Sequence, residues 1–139
     1  MKTIRVGVIG TGGIATQQHI PGYQAVPGVE IAALCDVVPG RAAEIAKGVP
    51  GAQAYEDFRQ MLDREQLDAV SVTTPHFAQR DAALAALEAG AHVLCEKPIA
   101  MNLAEGREMV AAADKAGKLL QIGVHIRFEA EAKALRKFV

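Results

Sequence analysis

Glycines spaced for phosphate binding lie directly after the first apolar run of the chain. Residues 6–9 are followed by Gly10-x-Gly12-x-x-Ala15. The first glycine permits a tight turn, the second lets the backbone approach a pyrophosphate, and the small third residue lets a helix pack close to the strand. The amides at the helix start then face the anion. The pattern favours a dinucleotide site, and the alternative is a glycine turn that binds nothing. The loop residues of this predicted site are Gly10, Thr11, Gly12, Gly13 and Ile14.

A carboxylate follows the second apolar run at the interval that such a site requires. Asp36 comes after residues 30–35, roughly 20 residues beyond the glycine loop, where it can accept hydrogen bonds from the adenosine ribose. A carboxylate there repels a 2′-phosphate, so we expect NAD to be preferred over NADP. Arg41 would reverse that preference if it paired with the phosphate. The alternative for Asp36 is a simple cap on a helix over residues 39–47.

Two further groups of polar residues follow later apolar runs. Thr74, Pro75 and His76 come after the third candidate strand, and Glu96, Lys97 and Pro98 come after the fourth. In an open α/β sheet the ligand crevice lies outside the carboxyl ends of the strands. We therefore expect both groups to converge with the glycine loop and Asp36 at one edge. The alternative for Glu96 and Lys97 is a surface ion pair.

The alternation of short apolar runs with helical stretches predicts a parallel sheet. Five runs are mostly apolar throughout, as strands covered on both faces must be: residues 5–9, 30–34, 69–73, 92–95 and 119–124. A short extra strand is predicted at 52–55, and crossover helices at 78–89 and 103–116. We expect an α/β fold, a single doubly wound Rossmann domain with a mainly parallel sheet in the order 3-2-1-4-5, a sixth strand being open.

Local signals predict where some helices begin and end. Asn102 can cap the helix over 103–116, with Glu105 three residues further on, and Gly117 stands where a left-handed helix end prefers glycine. Pro21 is expected to end or kink the first helix. Helical spacing continues over 129–139, where the chain stops on Phe138 and Val139 without a cap.

Composition and charge disfavour several classes of protein. The 139 residues are 50% hydrophobic and 22% charged, enough to bury one globular core. The formal charge of −1 provides no positive field for nucleic acid or an anionic membrane, and no apolar run approaches the roughly 20 residues of a spanning helix. We expect a cytoplasmic protein without nucleic-acid or membrane partners. Cys35 and Cys95 lack metal-type spacing, so we expect reduced, partly buried thiols and no metal site.

The sequence resembles the glucose-fructose oxidoreductase and inositol dehydrogenase superfamily, often called Gfo/Idh/MocA, over essentially its whole length. Five stretches carry the resemblance: residues 10–15, Cys35-Asp36, Thr74-Pro75-His76, residues 89–98, and Arg127-Phe128. The Glu96-Lys97-Pro98 signature is the most diagnostic of them. The resemblance implies an NAD(P)-binding domain of an oxidoreductase that transfers a hydride between the nicotinamide and a sugar, inositol or related polyol.

The resemblance also implies roles for individual residues. Lys97 would lie beside the nicotinamide, contact the reacting hydroxyl and stabilise the developing alkoxide, while Glu96 would orient Lys97 or hold the cofactor. His125 and Arg127 become candidates on the substrate side. His76 and His125 would line the nicotinamide end, or be ordinary structural residues. We expect structural roles for the two other histidines, His19 and His92.

The resemblance further implies a second domain. Residues 1–125 would form the NAD(P)-binding domain, and residues 126–139 would begin the connection to an absent C-terminal substrate domain that also makes homo-oligomer contacts. The uncapped end at Phe138-Val139 fits such a cut, whereas spacing alone equally allows a natural last helix. We expect this chain to bind dinucleotide without turnover. An NAD-dependent glycosidase and a non-catalytic dinucleotide-sensing module remain as alternatives.

Overall fold

A six-stranded parallel sheet forms the centre of the fold, with the strands in the order β3-β2-β1-β4-β5-β6. The computed structural model describes residues 3–137. The strands are β1 Ile4–Ile9, β2 Val29–Cys35, β3 Gln53–Tyr55, β4 Ala69–Val72, β5 His92–Cys95 and β6 Leu120–Ile122. The predicted order is confirmed when the short strand predicted at 52–55 is counted as the third, and the sixth strand lies beyond β5. The predicted bounds of β5 agree with the structure, and those of the other strands differ by one or two residues at an end.

Helices connect the strands. They are α1 Ile20–Gln24, α2 Arg41–Ala46, α3 Phe58–Arg64, α4 His76–Glu88, α5 Leu103–Ala116 and α6 Ala130–Leu135. A π-helical turn over Ala15–His19 leads into α1, and a 3₁₀ turn over His125–Phe128 precedes α6. Helix α3 is an addition to the predicted elements. None of the helices within residues 3–137 has the length and hydropathy to cross a bilayer.

Three predicted helices have other bounds than expected. Helix α4 begins at His76, two residues early, and α2 is shorter than residues 39–47. The last predicted helix is limited to Ala130–Leu135, and Phe138 and Val139 lie outside the described residues.

Pro21 does not end the first helical segment, so that prediction is wrong about an interruption. The backbone is π-helical up to His19 and α-helical from Ile20 to Gln24, and Pro21 stands in the first turn of α1. Amides in the first turn of a helix have no partner within it, so a proline costs least there. Beside Pro21 the backbone changes from π-helical to α-helical hydrogen bonding, and the helical segment continues without a break.

The two faces of the sheet form two separate apolar clusters. Met61, Leu87 and Met109, one residue each from α3, α4 and α5, pack on the first face. Ile20 and Ala42, from α1 and α2, pack on the second face. Helices on both faces bury the sheet in the manner of a doubly wound fold.

Both cysteines are free thiols, and they are more deeply buried than expected. Cys35 ends β2 and Cys95 ends β5. Burial raises the pKa of each thiol to about 12. Since the thiolate is the reactive form, both side chains act as small apolar groups.

Helix α5 has the predicted cap at its first turn and the predicted glycine at its end. Asn102 Oδ1 accepts from the Glu105 N–H at 3.0 Å, and Asn102 Nδ2 donates to the Glu105 carboxylate at 2.9 Å. Gly117 follows the helix with φ of 64°, in the left-handed region. These two contacts fix where α5 begins and ends.

We expect Asn102→Ala to lower the free energy of unfolding by about 1 kcal/mol, because the Glu105 N–H loses its acceptor. Asn102→Ser keeps an acceptor for that N–H without placing a second carboxylate beside Glu105, and should lose less stability than the alanine variant. Urea unfolding followed by circular dichroism measures both. Equal stability of the alanine and serine variants would contradict a capping role for Asn102.

Candidate functional site

The residues that follow the strands lie along one edge because the ladder of hydrogen bonds continues one residue beyond them. In each case the first residue after a strand donates its N–H to the last carbonyl of a neighbouring strand. The pairs are Gly10 to Cys35 at 2.7 Å, Thr73 to Ile9 at 2.9 Å, Glu96 to Val72 at 2.9 Å, and Gly123 to Cys95 at 2.8 Å. The polar segments predicted from the sequence therefore all begin level with one another at the carboxyl edge of the sheet.

The glycine loop approaches the end of β4 more closely than a side chain would allow. Gly10 has φ of +91°, and a Cβ there would lie 2.9 Å from backbone atoms of Thr73 and Thr74. The Thr73 hydroxyl donates to the Gly10 carbonyl at 2.6 Å. Gly12 differs, since a Cβ there would meet nothing within 4 Å. Gly10 thus closes the turn, and Gly12 leaves the loop surface open to a ligand.

Asp36 is anchored by backbone and side-chain donors on both of its carboxylate oxygens. Oδ2 accepts from the Thr11 N–H at 2.8 Å and from the Thr11 hydroxyl at 3.0 Å. Oδ1 accepts from the Val38 N–H at 2.9 Å, and Arg41 lies 3.5 Å away. The residue that caps α2 is Gly40, so the alternative that Asp36 is only a helix cap is wrong.

The environment of Asp36 favours its charged form. Burial, which leaves the side chain 6% exposed, would by itself raise the pKa of the carboxyl. The hydrogen bonds from Val38 and Thr11 and the positive charge of Arg41 outweigh that effect, so the pKa lies below its ordinary value. The site therefore presents a fixed negative charge beside the glycine loop.

A cleft of about 540 Å³, here called cleft A, opens between the glycine loop and the ends of β2 and β4. Six of the predicted residues line it: Gly10, Gly12, Asp36, Arg41, Thr74 and Pro75. Val37, Phe58 and Phe77 add apolar walls that the sequence did not indicate, and Phe77 is 78% exposed. Cleft A thus combines an anchored carboxylate with apolar surface.

A second cavity of about 590 Å³, here called cavity B, lies over β5 and β6 on the side of α1. Ile14, Glu96 and His125 are the predicted residues that line it. Its floor is formed by Leu94 and Gln121, which pair across β5 and β6 and face the same side of the sheet. The glycine loop borders both spaces, through Gly12 on cleft A and Ile14 on cavity B.

Glu96 is held in cavity B by a histidine that the sequence had suggested to be structural. His19 Nε2 lies 3.0 Å from Glu96 Oε1, and His19 Nδ1 lies 3.0 Å from the Ser71 hydroxyl. Ser71 is 2.7 Å from the Tyr23 hydroxyl. Glu96 Oε2 accepts from the Lys97 N–H at 3.2 Å. The pair that follows β5 is therefore linked to the first helix.

Six predicted residues of the described chain line neither space: Thr11, Gly13, His76, Lys97, Pro98 and Arg127. Thr11 is buried against Asp36, whereas Lys97 is exposed directly after Glu96. His76 is exposed at the start of α4, directly after Thr74 and Pro75, which line cleft A, whereas His125 lines cavity B. The Lys97-Pro98 peptide is cis.

The residues of this edge fit a dinucleotide. The open surface at Gly12 leaves room for a pyrophosphate, and the helix start beside it supplies amides. Within residues 3–137, the buried Thr74 hydroxyl has no hydrogen-bond partner although it lies in the wall of cleft A. A buried polar atom without a partner is rare in folded proteins, and a group bound in the adjoining cleft is one partner that would account for it.

Comparisons with known proteins agree with this geometry. A family model described as an oxidoreductase family with an NAD-binding Rossmann fold matches residues 4–124. The chain is 38% identical over 136 residues to the D-glucoside 3-dehydrogenase of Escherichia coli K12, covering 98% of this chain and 39% of that protein. It is 35% identical over 129 residues to the inositol 2-dehydrogenase of Salmonella typhimurium, covering 91% and 38%.

A solved structure shows the same fold. The WlbA dehydrogenase from Bordetella pertussis, in complex with NADH and UDP-GlcNAcA, superposes with a TM-score of 0.90 at 29% identity. That match covers 98% of this chain and 39% of the other. The chain therefore spans about two fifths of the length of these three proteins.

The anchored carboxylate predicts a pH-dependent effect of Asp36→Asn. The side-chain amide has only one oxygen that can accept, so one of the donors from Thr11 and Val38 loses its acceptor. We therefore expect the free energy of unfolding to fall by about 2 kcal/mol at pH 7. Because the folded pKa of Asp36 is lowered, its stabilisation is complete above the unfolded pKa of about 3.9 and is lost as the pH falls through the folded pKa.

Urea unfolding at pH values from 7 down to about 3 measures this difference. The gap between the natural chain and Asp36→Asn should be constant near neutrality and narrow below about pH 4. Asp63→Asn, at an exposed position of α3, is the control and should change little. A gap that stays constant over the whole range would exclude the charge of Asp36 as its cause.

Proposed function

The chain belongs to the oxidoreductase family with an NAD-binding Rossmann fold, and from this membership we propose that its protein oxidises a hydroxyl-bearing carbon of a sugar, inositol or related polyol. The reverse reduction uses the same site. The observation that carries the proposal is the position of the glycine loop between cleft A and cavity B. A dinucleotide laid across that loop reaches both spaces, in the manner of Rossmann domains.

The adenosine end of the dinucleotide belongs in cleft A. The carboxylate of Asp36 is fixed by Thr11 and Val38 and can still accept hydrogen bonds from ribose hydroxyls. Its negative charge opposes a 2′-phosphate. The Arg41 guanidinium lies 3.5 Å from Asp36, which competes with a phosphate for it. These contacts support a preference for NAD over NADP.

The reacting end belongs beside Glu96 and Lys97. A nicotinamide held there would supply the acceptor for the hydride that leaves the carbon, and the hydroxyl proton would pass to a base of the substrate domain proposed below. We assign to Lys97 the contact with the reacting hydroxyl, where an ammonium group stabilises the developing negative charge on oxygen. Glu96 fixes the start of this segment through its hydrogen bond to the Lys97 N–H. His125 lines cavity B and becomes a substrate-side candidate together with Arg127.

The activity of the whole protein rests on more than these residues. Because the chain spans 39% and 38% of the two dehydrogenases, we propose that residues 1–125 bind the cofactor and that residues 126–139 begin the connection to a substrate domain. This chain by itself would then bind dinucleotide without turnover, and the longer protein would form homo-oligomers. A cytoplasmic location is supported by the free thiols of Cys35 and Cys95.

We expect Asp36→Ala to weaken the binding of NAD by about tenfold and that of NADP far less, because the lost carboxylate accepts from the ribose hydroxyls but repels a phosphate. Isothermal titration of this chain with each dinucleotide measures both affinities. Glu44→Ala removes an exposed acid of α2 and serves as the control. Equal losses for NAD and NADP would count against the ribose contact.

In the longer enzyme, with a polyol that it oxidises, we expect Lys97→Ala to lower kcat by about a hundredfold or more while the affinity for NAD stays nearly unchanged. Lys115→Ala, at an exposed position of α5, is the matched control. Steady-state kinetics and NAD titration give the two quantities. An unchanged kcat would remove Lys97 from the reaction.

A further inference from the structure

We propose that His19 is a positioning residue that holds the Glu96–Lys97 segment through a buried chain of hydrogen bonds beginning at Tyr23. The inference deepens the proposed function and rests on it for the role of Lys97. From the sequence, His19 was expected to have a structural role, and it stands beside Pro21.

His19 lies between the sheet and the first helix. It ends the π-helical turn, and its side chain is 8% exposed. Ser71 pairs with Val8 on one side and Leu94 on the other, so all three side chains point to the face that carries α1. The ring therefore sits above Ser71 and extends along the sheet surface to Glu96, whose side chain is 11% exposed.

With a neutral His19 ring, one direction of donation satisfies every group in the chain. A carboxylate only accepts, so His19 Nε2 donates to Glu96. In the neutral ring Nδ1 is then the acceptor, and the Ser71 hydroxyl donates a hydrogen bond to it. Ser71 in turn accepts from Tyr23, whose pKa is raised by burial and which keeps its proton. The chain runs from Tyr23 through Ser71 and His19 to Glu96 with each group satisfied.

The backbone of Gly123 lies close to the Glu96 carboxylate. A Cβ at Gly123 would lie 3.0 Å from Glu96 Oε1 and 3.3 Å from its Cδ. Gln79 donates to the Glu96 carbonyl at 3.1 Å from α4. His19 and the backbone of Gly123 thus both lie against Oε1 of Glu96, and Oε2 accepts from the Lys97 N–H. A displacement of the carboxylate changes the bond that fixes the backbone of Lys97.

The contrast with His92 separates this role from an ordinary structural one. His92 Nδ1 accepts from the Leu119 N–H at 3.0 Å, which links two strands. Both ring nitrogens of His19 instead contact side chains, and one of those is the carboxylate of the site. Only His19 of these two can transmit its orientation to Lys97.

The proposal is tested by comparing two substitutions of His19. The terminal nitrogen of glutamine can take the place of Nε2, whereas that of asparagine matches Nδ1 and falls short of Glu96. We expect His19→Gln to keep the Lys97 amide proton at its natural chemical shift and His19→Asn to move it upfield, in ¹H–¹⁵N spectra of this chain without cofactor. His92→Gln is the matched control and should leave it unmoved.

A second pair of variants leaves His19 in place. Gly123→Ala presses on the Glu96 carboxylate and should move the Lys97 amide as His19→Asn does, whereas Gly22→Ala meets nothing within 4 Å and should not. In the natural chain, long-range ¹H–¹⁵N correlations should show the neutral ring of His19 protonated on Nε2. A ring protonated on Nδ1, or a Lys97 amide unmoved in both His19→Asn and Gly123→Ala, would overturn the proposal.

Cofactor binding and turnover separate this inference from the proposed function. In the longer enzyme we expect kcat to fall about tenfold in His19→Asn and to recover in His19→Gln, with KM for NAD unchanged in both. If the Lys97 amide responds as expected but calorimetry detects no binding of NAD, the proposed function fails while the positioning contact stands. If NAD binds and the amide does not respond, the positioning role is wrong.

Discussion

The parallel register at the carboxyl ends of the strands is the constraint on which the rest of the site depends. Each hydrogen bond from a residue just past a strand to the neighbouring strand places that residue at the crevice. The close approach of Gly10 to Thr73 and Thr74 lies between β1 and β4, where the order of the strands reverses. If a Cβ separated these backbones, cleft A would lose its wall at Thr74. The loop, the carboxylate and the polar residues after β4 and β5 hold their places through this contact.

The sheet and the candidate site could be read from the sequence wherever the signal was local. The apolar runs gave β5 its observed bounds, and the membership confirmed above matches the resemblance carried by Glu96-Lys97-Pro98. Signals that require a partner were misread. Pro21 was expected to end or kink a helix, but it stands in the first turn of α1 and the helical segment continues through it. The donors that anchor Asp36 include Thr11, which is 25 residues away along the chain.

His19 shows most directly why part of the site escaped the sequence. Its contact with Glu96 spans 77 positions and depends on the face of β4 that Ser71 occupies. A weak signal was present, because His19 and Tyr23 follow the buried Ala15 at intervals of four and thus place two polar groups on an inward helix face. Polar residues on such a face need partners inside the protein, and here those partners lead to the site.

Cleft A and cavity B are built differently, and we expect the first to govern cofactor affinity and the second to govern the reaction rate. Cleft A has apolar walls and a carboxylate held by backbone donors, which suits tight binding of a part of the cofactor that does not react. Cavity B contains a charged residue held by other side chains, Glu96, and lies next to the exposed Lys97. Interactions equal in the ground and transition states change affinity, whereas those that strengthen as charge develops change the rate. Affinity should therefore respond to the contacts of Asp36, and rate to the contacts that orient Lys97.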